Sequence, residues 1–578
     1  MNRRDQAILG ALVALLLVIA VSIGIPSLSP LTGAASASGS PAASAAPGVY
    51  VEGTIGAATE VSPLAARSRI DRDLVALVFS GLVRLGPDQT LLPDLADRWQ
   101  VDSTGAVWTF HLRPGTVWQD GAPLTSADVV FTIKTLQDPN YSGPGSSSWD
   151  EVTVTAPDDR TVAFRLATPL GGFLQAATQP IVPAHLLRDV AVDSLGDDAF
   201  NRAPVGSGSY RLTSLDDHGA VLVPSAEGNQ GEVPVVTPVA APTDALAIPS
   251  PASIGGFARP YIPMLEFQFF PDAASLSTAY KAGGLDAASG LPPDAAVALS
   301  ETQGSRLLRY PGTTLLAVVL DLRSTHQEFR DASVRRGLLE AIDRDVIVAN
   351  DLSGLGTRAD GLLPPWSWAY SSASNKPVPF DVTAAEKALA KGGWTSVGGS
   401  WKLPGATDAT GVELVSADKD TSPVVFSVAE SVAQDWRKIG LAVTHVGMAP
   451  TDLASSRLRT GNFAAAVIAI NIGLDPDLYP YLASTQTLSG GSNVSGLQDP
   501  ALDRLLAAAR APGNTEARIA AYAALQAKLA DSVYLLPIAY RDNTVVARNT
   551  LAGPVIRPLG DSSDRFWDVL TWRLASNR

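Results

Sequence analysis

The chain has 578 residues, of which 46% are hydrophobic and 17% charged, a balance that excludes a disordered polyelectrolyte and allows several domains. The formal net charge of -14 excludes a basic nucleic-acid-binding protein, because phosphate contacts need clustered lysines and arginines. Cysteine is absent, which excludes disulfides and thiolate metal sites, and the five histidines form no ligand pair. No cofactor or metal ion is therefore expected, and a serine–histidine–aspartate triad could arise only from residues distant in sequence.

The N-terminal segment predicts export. Arg3 and Arg4 precede an apolar run at 7–25, which as a helix would reach roughly 28 Å, about one hydrocarbon core. A signal peptide cleaved near the small residues 35–37 is one interpretation. A retained membrane anchor is the other, and the length favours it. Residues 26–48 are uncharged and rich in Pro, Ser, Ala and Gly, which predicts a flexible linker.

Strand and helix signals alternate from residue 49 onwards. The segment 107–112 (VWTFHL) alternates like a half-buried strand, and Thr125 with Asp128 three residues later predicts the start of a helix. Residues 313–322 predict a buried strand. Within 334–348, helical spacing separates Val334, Leu338, Ile342 and Val346, and this spacing predicts a helix.

The most regular pattern is strand–helix–strand–helix–strand, typical of a mostly parallel sheet flanked by helices in an α/β protein. A long alanine-rich helix and a late strand follow it. In chain order these predicted elements are 411–417, 424–438, 441–446, 451–461, 463–471, 515–531 and 533–540.

Six segments together resemble one family, the large extracytoplasmic solute-binding proteins of ABC transporters of the oligopeptide, dipeptide and nickel type (family 5). Each segment is weakly specific alone, but all six occur in the family's order at compatible spacings. Among them are LVFSGLVRLGPDQTLLPDLADRW, WTFHLRPGTVWQDGAPLTSADVVFT and APVGSGSYRL. The six segments are 77–99, 108–132, 203–212, 328–348, 380–394 and 492–509.

The resemblance implies an α/β, two-lobed periplasmic-binding-protein-like fold of class II type, with hinge strands and a ligand enclosed between the lobes. The enlarged first lobe would be discontinuous, comprising 49–305 and 533–578. The second lobe would comprise 306–532. A second proline-rich stretch, about 226–262, would be a flexible surface insertion of the first lobe.

The resemblance also implies a function outside the cytoplasm. The lobes would close around a peptide or similar oligomeric solute and deliver it to ABC permease and ATPase subunits, without covalent chemistry. A monomer is expected, tethered to the membrane through its N-terminal segment or secreted after cleavage. The alternative is a membrane-anchored solute sensor that uses the same scaffold without transport. An exported enzyme is disfavoured because no nucleophile elbow, zinc-protease motif or phosphate loop occurs.

The resemblance places a ligand between two segments of main chain, which would read it by β-augmentation. One segment contains Ser80 and Gly81. The other contains Ala469, Ile470 and Asn471. Ordinary core strands are the alternative for both.

The chain departs from the peptide-binding pattern near the second segment. Relatives that bind peptides carry a carboxylate for the ligand's α-amino group where this chain has Ile472. Asp475 or Asp477 could replace it, or Asp475 could instead be the N-cap of a helix with Asp477 in its first turn. A neutral oligomer such as a saccharide therefore remains open. Further candidates for ligand contact, with a packed loop as the alternative for the aromatic ones, are Trp366, Trp368, Tyr370 and Asn493.

Overall fold

A computed structural model describes residues 48–86, 89–149, 151–225, 262–403, 406–487 and 491–575. The predicted N-terminal helix, the linker and nearly all of the predicted insertion lie outside these ranges. Within them, no helix combines the length and the apolar character that crossing a bilayer requires.

The strands of the first half of the described chain are β1 (Val49–Ile55), β2 (Val83–Leu85), β3 (Leu91–Pro93), β4 (Ala96–Val101), β5 (Val107–Leu112), β6 (Val152–Asp158), β7 (Thr161–Leu166), β8 (Tyr210–Leu215), β9 (Gly219–Pro224), β10 (Met264–Phe270), β11 (Ala287–Ser289) and β12 (Ser305–Leu320). The rest are β13 (Gly356–Arg358), β14 (Thr395–Val397), β15 (Ser400–Lys402), β16 (Gly411–Ala417), β17 (Ala442–Met448), β18 (Ala465–Asn471), β19 (Leu535–Arg548), β20 (Leu551–Ala552) and β21 (Arg573–Leu574).

Helices alternate with groups of strands along the chain. The described α-helices are α1 (Arg69–Val78), α2 (Ser126–Leu136), α3 (Phe173–Ala176), α4 (Ala184–Leu187), α5 (Ala273–Lys281), α6 (Pro293–Ser300), α7 (Ala332–Glu340), α8 (Arg344–Asn350), α9 (Val382–Lys391), α10 (Pro423–Lys438), α11 (Pro450–Asp452), α12 (Tyr479–Leu482), α13 (Pro500–Arg510) and α14 (Thr515–Ser532). Shorter 3₁₀ or π turns cover Ser146–Trp149, Val192–Asp197, Ala199–Asn201, Gln327–Phe329, Leu453–Leu458, Ser484–Gln486 and Ser562–Thr571.

One 11-stranded sheet runs through both halves of the molecule. Its strand order is β17-β16-β18-β12-β19-β11-β1-β10-β9-β8, with β13 also paired to β19. The predicted parallel unit is confirmed, because β16 pairs in parallel with both β17 and β18. The sheet as a whole is mixed, since β12 is antiparallel to both of its neighbours, β18 and β19. A separate antiparallel sheet has the order β4-β5-β7-β6.

The two largest of three hydrophobic cores divide the molecule into two lobes. The first core, lobe I, draws on residues 50–310 and 545–572, and the second core, lobe II, on residues 315–540. The changeover falls inside β12, between Tyr310 and Leu315, and inside β19, between Tyr540 and Val545. Only these two strands of the large sheet belong to both cores, and they are therefore the hinge strands.

The stretch of hinge between the cores is irregular. The register of β12 against β19 shifts between Pro311 and Leu315. Gly312 fills this bulge, where a β-carbon would overlap the carbonyl oxygen of Arg541. A bulge that locally re-aims both strands is suited to the point at which two lobes change orientation. We call Pro311–Thr314 and Arg541–Thr544 the cleft floor.

Local sequence signals gave most elements correctly. The predicted strand at 107–112 is β5, and α2 begins directly after Thr125, whose N–H donates to the Asp128 carboxylate at 2.8 Å. The single helix predicted over 334–348 is wrong. Asp343 caps a new helix, α8, by accepting from the N–H of Val346, and this restart turns Val346 to solvent while Ile347 is buried.

Candidate functional site

The Ser80–Gly81 segment is a loop rather than the predicted strand. It connects α1 to β2, and the carbonyl groups of Ser80 and Gly81 already accept from the N–H groups of Ile181 and Leu95 at 3.0 and 3.1 Å. A β-carbon at Gly81 would lie 2.6 Å from the Thr178 carbonyl oxygen, so close packing within lobe I requires the glycine. Both carbonyl groups are thus committed to lobe I before any ligand arrives.

A small polar cavity opens beside Ser80. Its walls come from lobe I and include Asp94, Arg113 and Ser207. The Ser80 N–H donates to the Ser207 hydroxyl at 3.1 Å, and the Arg113 guanidinium donates to the Asp94 carbonyl at 2.8 Å. Burial raises the pKa of the Asp94 carboxyl, against the opposing charges of Arg84 and Arg113. The cavity thus brings polar side chains of lobe I together beside Ser80.

The second predicted segment, in β18, has an edge that no strand of the described chain pairs with over most of its length. β18 pairs with β12 along its whole length, but β16 accompanies it only at Ala465 and Ala466. No strand of the described chain pairs with the other edge of 467–471. Ala469 and Ile470 are buried as whole residues in this conformation, so an extended ligand could pair with their main chain only after the groups that cover this edge move aside.

Asn471 ends β18 at the cleft floor. Its side-chain oxygen accepts from the Thr313 hydroxyl at 2.8 Å, and its amide N–H₂ donates to the Gly560 carbonyl at 3.0 Å. Both bonds tie lobe II to segments next to the hinge. In this conformation the amide of Asn471 is engaged in holding the two lobes together.

The carboxylates of Asp475 and Asp477 are each paired with an arginine of lobe II. Asp475 accepts from two N–H groups of Arg518, at 2.7 and 3.1 Å, and Asp477 accepts from Arg510 at 2.8 Å. Although burial opposes it, the bond to Asp475 raises the pKa of Arg518. The N-cap interpretation of Asp475 is wrong: it lies in a turn, and α12 begins after Leu478.

Two of the three candidate aromatic residues are held by neighbours. The Arg518 guanidinium lies 4.6 Å from the ring centre of Trp368, which also packs edge-to-face on Tyr522. Trp366 packs edge-to-face on Tyr540, just before the cleft floor, and stays partly exposed. Its buried indole N–H has no hydrogen-bond partner within the described chain. Tyr370 is also partly exposed, and burial raises the pKa of its phenol.

Asn493 lies inside lobe II. It has no exposed surface, and its amide donates to the carbonyl groups of Ala483 and Leu497 at 3.1 and 3.0 Å. Its oxygen accepts from the Ser495 hydroxyl. A side chain satisfied in this way offers no free polar atom to a ligand in this conformation, and its role in ligand binding stays a prediction.

The lobes touch at the side of the cleft. The Gly171 N–H of lobe I donates to the Arg510 carbonyl of lobe II at 2.9 Å, and a β-carbon at Gly172 would lie 2.9 Å from the Asp475 carboxylate. The Gln89 amide of lobe I also reaches the Trp366 carbonyl, at 3.4 Å. The arginine–aspartate pairs thus lie at the surface of lobe II that receives lobe I.

Sequence reasoning missed Arg541, on the cleft floor. Its side chain is partly exposed and makes no hydrogen bond or ion pair in the described chain. Burial lowers the pKa of its guanidinium, and no neighbouring acid opposes that shift. The signal was present in the sequence, since Arg541 and Asp542 interrupt an apolar strand that the hydrophobic pattern ended at Tyr540.

A serine–histidine–carboxylate arrangement does form from distant residues in lobe II. The Ser416 hydroxyl oxygen lies 2.9 Å from Nε2 of His445, whose Nδ1 lies 3.0 Å from the Glu430 carboxylate. Ser416 has no exposed surface, and its hydroxyl donates to the Ala417 carbonyl. A substrate cannot reach this hydroxyl in the present conformation, so the arrangement links β16, β17 and α10 structurally. Within the described ranges, no three acidic or histidine side chains are grouped to hold a metal ion.

Comparison with known proteins gives consistent relationships. Protein XP55 of Streptomyces lividans is 30% identical over 527 residues, covering 88% of this chain and 89% of that protein. The structure of the oligopeptide-binding protein AppA from Bacillus subtilis, in complex with a nonapeptide, superposes with a TM-score of 0.69 at 21% identity and covers 91% of this chain and 99% of AppA. NikZ from Campylobacter jejuni, in complex with Ni(L-His), gives a TM-score of 0.70 at 22% identity, with 91% and 100% covered.

The family model for bacterial extracellular solute-binding proteins, family 5, matches residues 90–493. That match spans most of lobe I, the first hinge strand and most of lobe II. The two-lobed α/β fold with two hinge strands, expected from the sequence, is the fold of the matched structures. The chain therefore belongs to the bacterial extracellular solute-binding proteins of family 5.

Proposed function

We propose that this chain captures a peptide or similar oligomeric solute between its lobes outside the cytoplasm and delivers it to the permease of an ABC importer. The observation that carries the choice of an extended ligand is the edge of β18 at 467–471, next to the cleft floor, which no strand of the described chain pairs with. Main-chain groups on a free strand edge bind an extended ligand with little regard to its side chains. The relative AppA, crystallised with a nonapeptide, supports the same class of ligand.

Closure of the lobes would supply the signal for delivery. A ligand that contacts both lobes stabilises the closed form by its difference in affinity for the two forms. The two hinge strands allow rotation without breaking either core. The proposal includes no bond-making step: the solute leaves as it entered. We further propose that the protein acts as a monomer tethered to the membrane through residues 7–25.

Calorimetric titration with short peptides tests this function. Purified full chain in mild detergent is titrated with tri-alanine and with tri-alanine N-methylated at its internal amides, which keeps both terminal charges but removes main-chain donors. We expect binding of the first and a loss of tenfold or more for the second, because strand pairing needs those N–H groups. Small-angle scattering should show a smaller radius of gyration with ligand bound.

Two competing solutes serve as controls in the same titration. A neutral oligosaccharide and a nickel–histidine complex represent the other classes of solute considered. Binding of either without any response to peptides of two to nine residues would contradict a peptide ligand. Binding of a peptide without compaction would contradict closure.

A further inference from the structure

Five described arginines have a pKa lowered by burial: Arg69, Arg113, Arg335, Arg344 and Arg541. The first four have compensating partners. Arg69 pairs with Asp73, Arg113 donates to the Asp94 carbonyl, Arg335 donates to the Ser532 carbonyl, and Arg344 lies 3.5 Å from Asp360. Arg541 has no such partner in the described chain, and this sets it apart.

The position of Arg541 points to the ligand space. It lies on the cleft floor, between the end of the lobe II core at Tyr540 and the start of the lobe I core at Val545. The side chains of Tyr540 and Asp542 bond to Gly361 and Arg309, so alternation along the strand puts Arg541 on the opposite face from both. The residue keeps accessible surface beside the hinge, where a solute enclosed between the lobes would lie.

A guanidinium in such a place is costly to leave unpaired. It presents five donors that cannot be silenced by deprotonation, and removing part of its hydration without a partner opposes folding. Planar, two-pronged contacts to carboxylate or phosphate are the interactions it makes best. We propose that Arg541 binds a carboxylate or phosphate group of the captured solute and so anchors its anionic end on the cleft floor.

The two carboxylates considered for a ligand ammonium group support this inference about charge. Asp475 and Asp477 are neutralised by Arg518 and Arg510, so neither is free for a ligand ammonium group. The structure thus offers a solute one unmatched cation on the hinge and no unmatched anion at these two positions. The inference rests on the proposed function of the cleft and narrows it to solutes with an anionic end, whatever their amino terminus.

Four forms of tri-alanine separate the two charges: the free peptide, its N-acetyl form, its amide and the form capped at both ends. Each is titrated into the full chain and into Arg541→Met, with Arg541→Lys as a variant that keeps the charge but loses the planar fork. Arg211→Met is the matched control, since Arg211 is an exposed arginine on the far edge strand β8. Melting temperatures in acetate, inorganic phosphate and chloride at equal ionic strength identify the anion independently of the peptide.

We expect a free carboxylate to raise affinity about tenfold or more in the natural protein and in Arg211→Met. That gain should vanish in Arg541→Met and be partial in Arg541→Lys, while a free amine changes affinity less than about twofold. Stabilisation by phosphate but not by carboxylates would identify a phosphate-bearing solute.

Three outcomes separate this inference from the proposed function. Equal affinity of the natural protein and Arg541→Met for all four peptides, with equal anion responses, overturns the anchor and leaves peptide capture intact. If acetate or phosphate stabilises the natural protein but not Arg541→Met, and no peptide binds to the natural protein, the result supports the anchor and refutes peptide capture. Absence of both responses in the natural protein overturns the anchor.

Discussion

The surface of lobe II that meets lobe I differs from the cleft floor in how its charged side chains are paired. On the lobe II surface, Asp475 and Asp477 each have an arginine within 2.8 Å, and each arginine also lies over an aromatic ring. On the cleft floor, burial removes part of the hydration of the Arg541 guanidinium, and no acidic side chain of the described chain pairs with it. A matched pair is already satisfied and shapes the surface, whereas an unmatched charge is available to a ligand. The position of a charged residue near a cleft therefore says less than its partner does.

The strongest test of matched charge lies in the lobe I core. Arg565 pairs with Glu52 at 2.6 Å and with Asp73 at 2.8 Å, and all three side chains are at most 3% exposed. Their charges raise the pKa of Arg565 despite burial. We expect Arg565→Met to lower the free energy of unfolding by about 3–5 kcal/mol, because it leaves the buried Glu52 carboxylate without its ion-pair partner and Asp73 with Arg69 alone. Urea unfolding followed by circular dichroism measures this.

The paired control removes the Glu52 carboxylate as well. In Arg565→Met with Glu52→Gln, Asp73 keeps its ion pair with Arg69, so no carboxylate of this cluster lacks a cation and a large part of the lost stability should return. If the single and double variants unfold at the same urea concentration, charge matching is not what holds this cluster.

A smaller effect is expected from unmatching Asp475. Arg518→Met removes the pair and the contact with Trp368, and should cost about 1–3 kcal/mol since both partners are partly buried. It should also leave the Asp475 carboxylate without its arginine partner. Affinity for tri-alanine amide, which carries only an ammonium, should rise about tenfold by calorimetry, while affinity for the capped peptide stays the same. An unchanged preference would show that Asp475 does not face the ligand.

How far the sequence could predict these features depends on the range of the interactions. The strands and helix of 411–448 follow from local hydrophobic periodicity, and β16, α10 and β17 lie within one or two residues of the prediction. The partner of Asp475 is 43 residues away, so no local pattern distinguishes its ion pair from a helix cap. Resemblance placed Ser80 near the cleft but not its loop conformation, which depends on contacts with Leu95 and Ile181. The isolation of Arg541 is a property of the folded chain alone.

Acid should weaken a matched carboxylate in lobe II. Asp499 caps α13 and accepts from Tyr534 and Lys528 at 2.6 and 2.9 Å. Burial by itself would raise the pKa of the Asp499 carboxyl, but these bonds outweigh it and hold that pKa below its ordinary value. A lowered folded-state pKa contributes stability above the unfolded pKa, about 3.9, which is lost as pH falls below it. Asp499→Asn should therefore cost about 1 kcal/mol at pH 7 and progressively less below pH 4.

Unfolding measured from pH 7 down to pH 3 decides this. The difference between the natural protein and Asp499→Asn should shrink as pH falls. A difference that is constant across this range would show that the charge of Asp499 contributes nothing beyond its helix cap.

The smallest change in the free energy of unfolding is expected for a substitution on the cleft floor. Arg541→Met keeps the length of the side chain and removes a charge that no group in the described chain compensates. Because nothing is left unpaired by this substitution, the free energy of unfolding without ligand should stay the same or rise by up to about 1 kcal/mol. The sign is opposite to that for Arg565→Met and Arg518→Met, measured by the same urea titration. A loss above about 2 kcal/mol would mean that Arg541 stabilises the folded chain. The residue that binds an anionic solute would then have to lie elsewhere in the cleft.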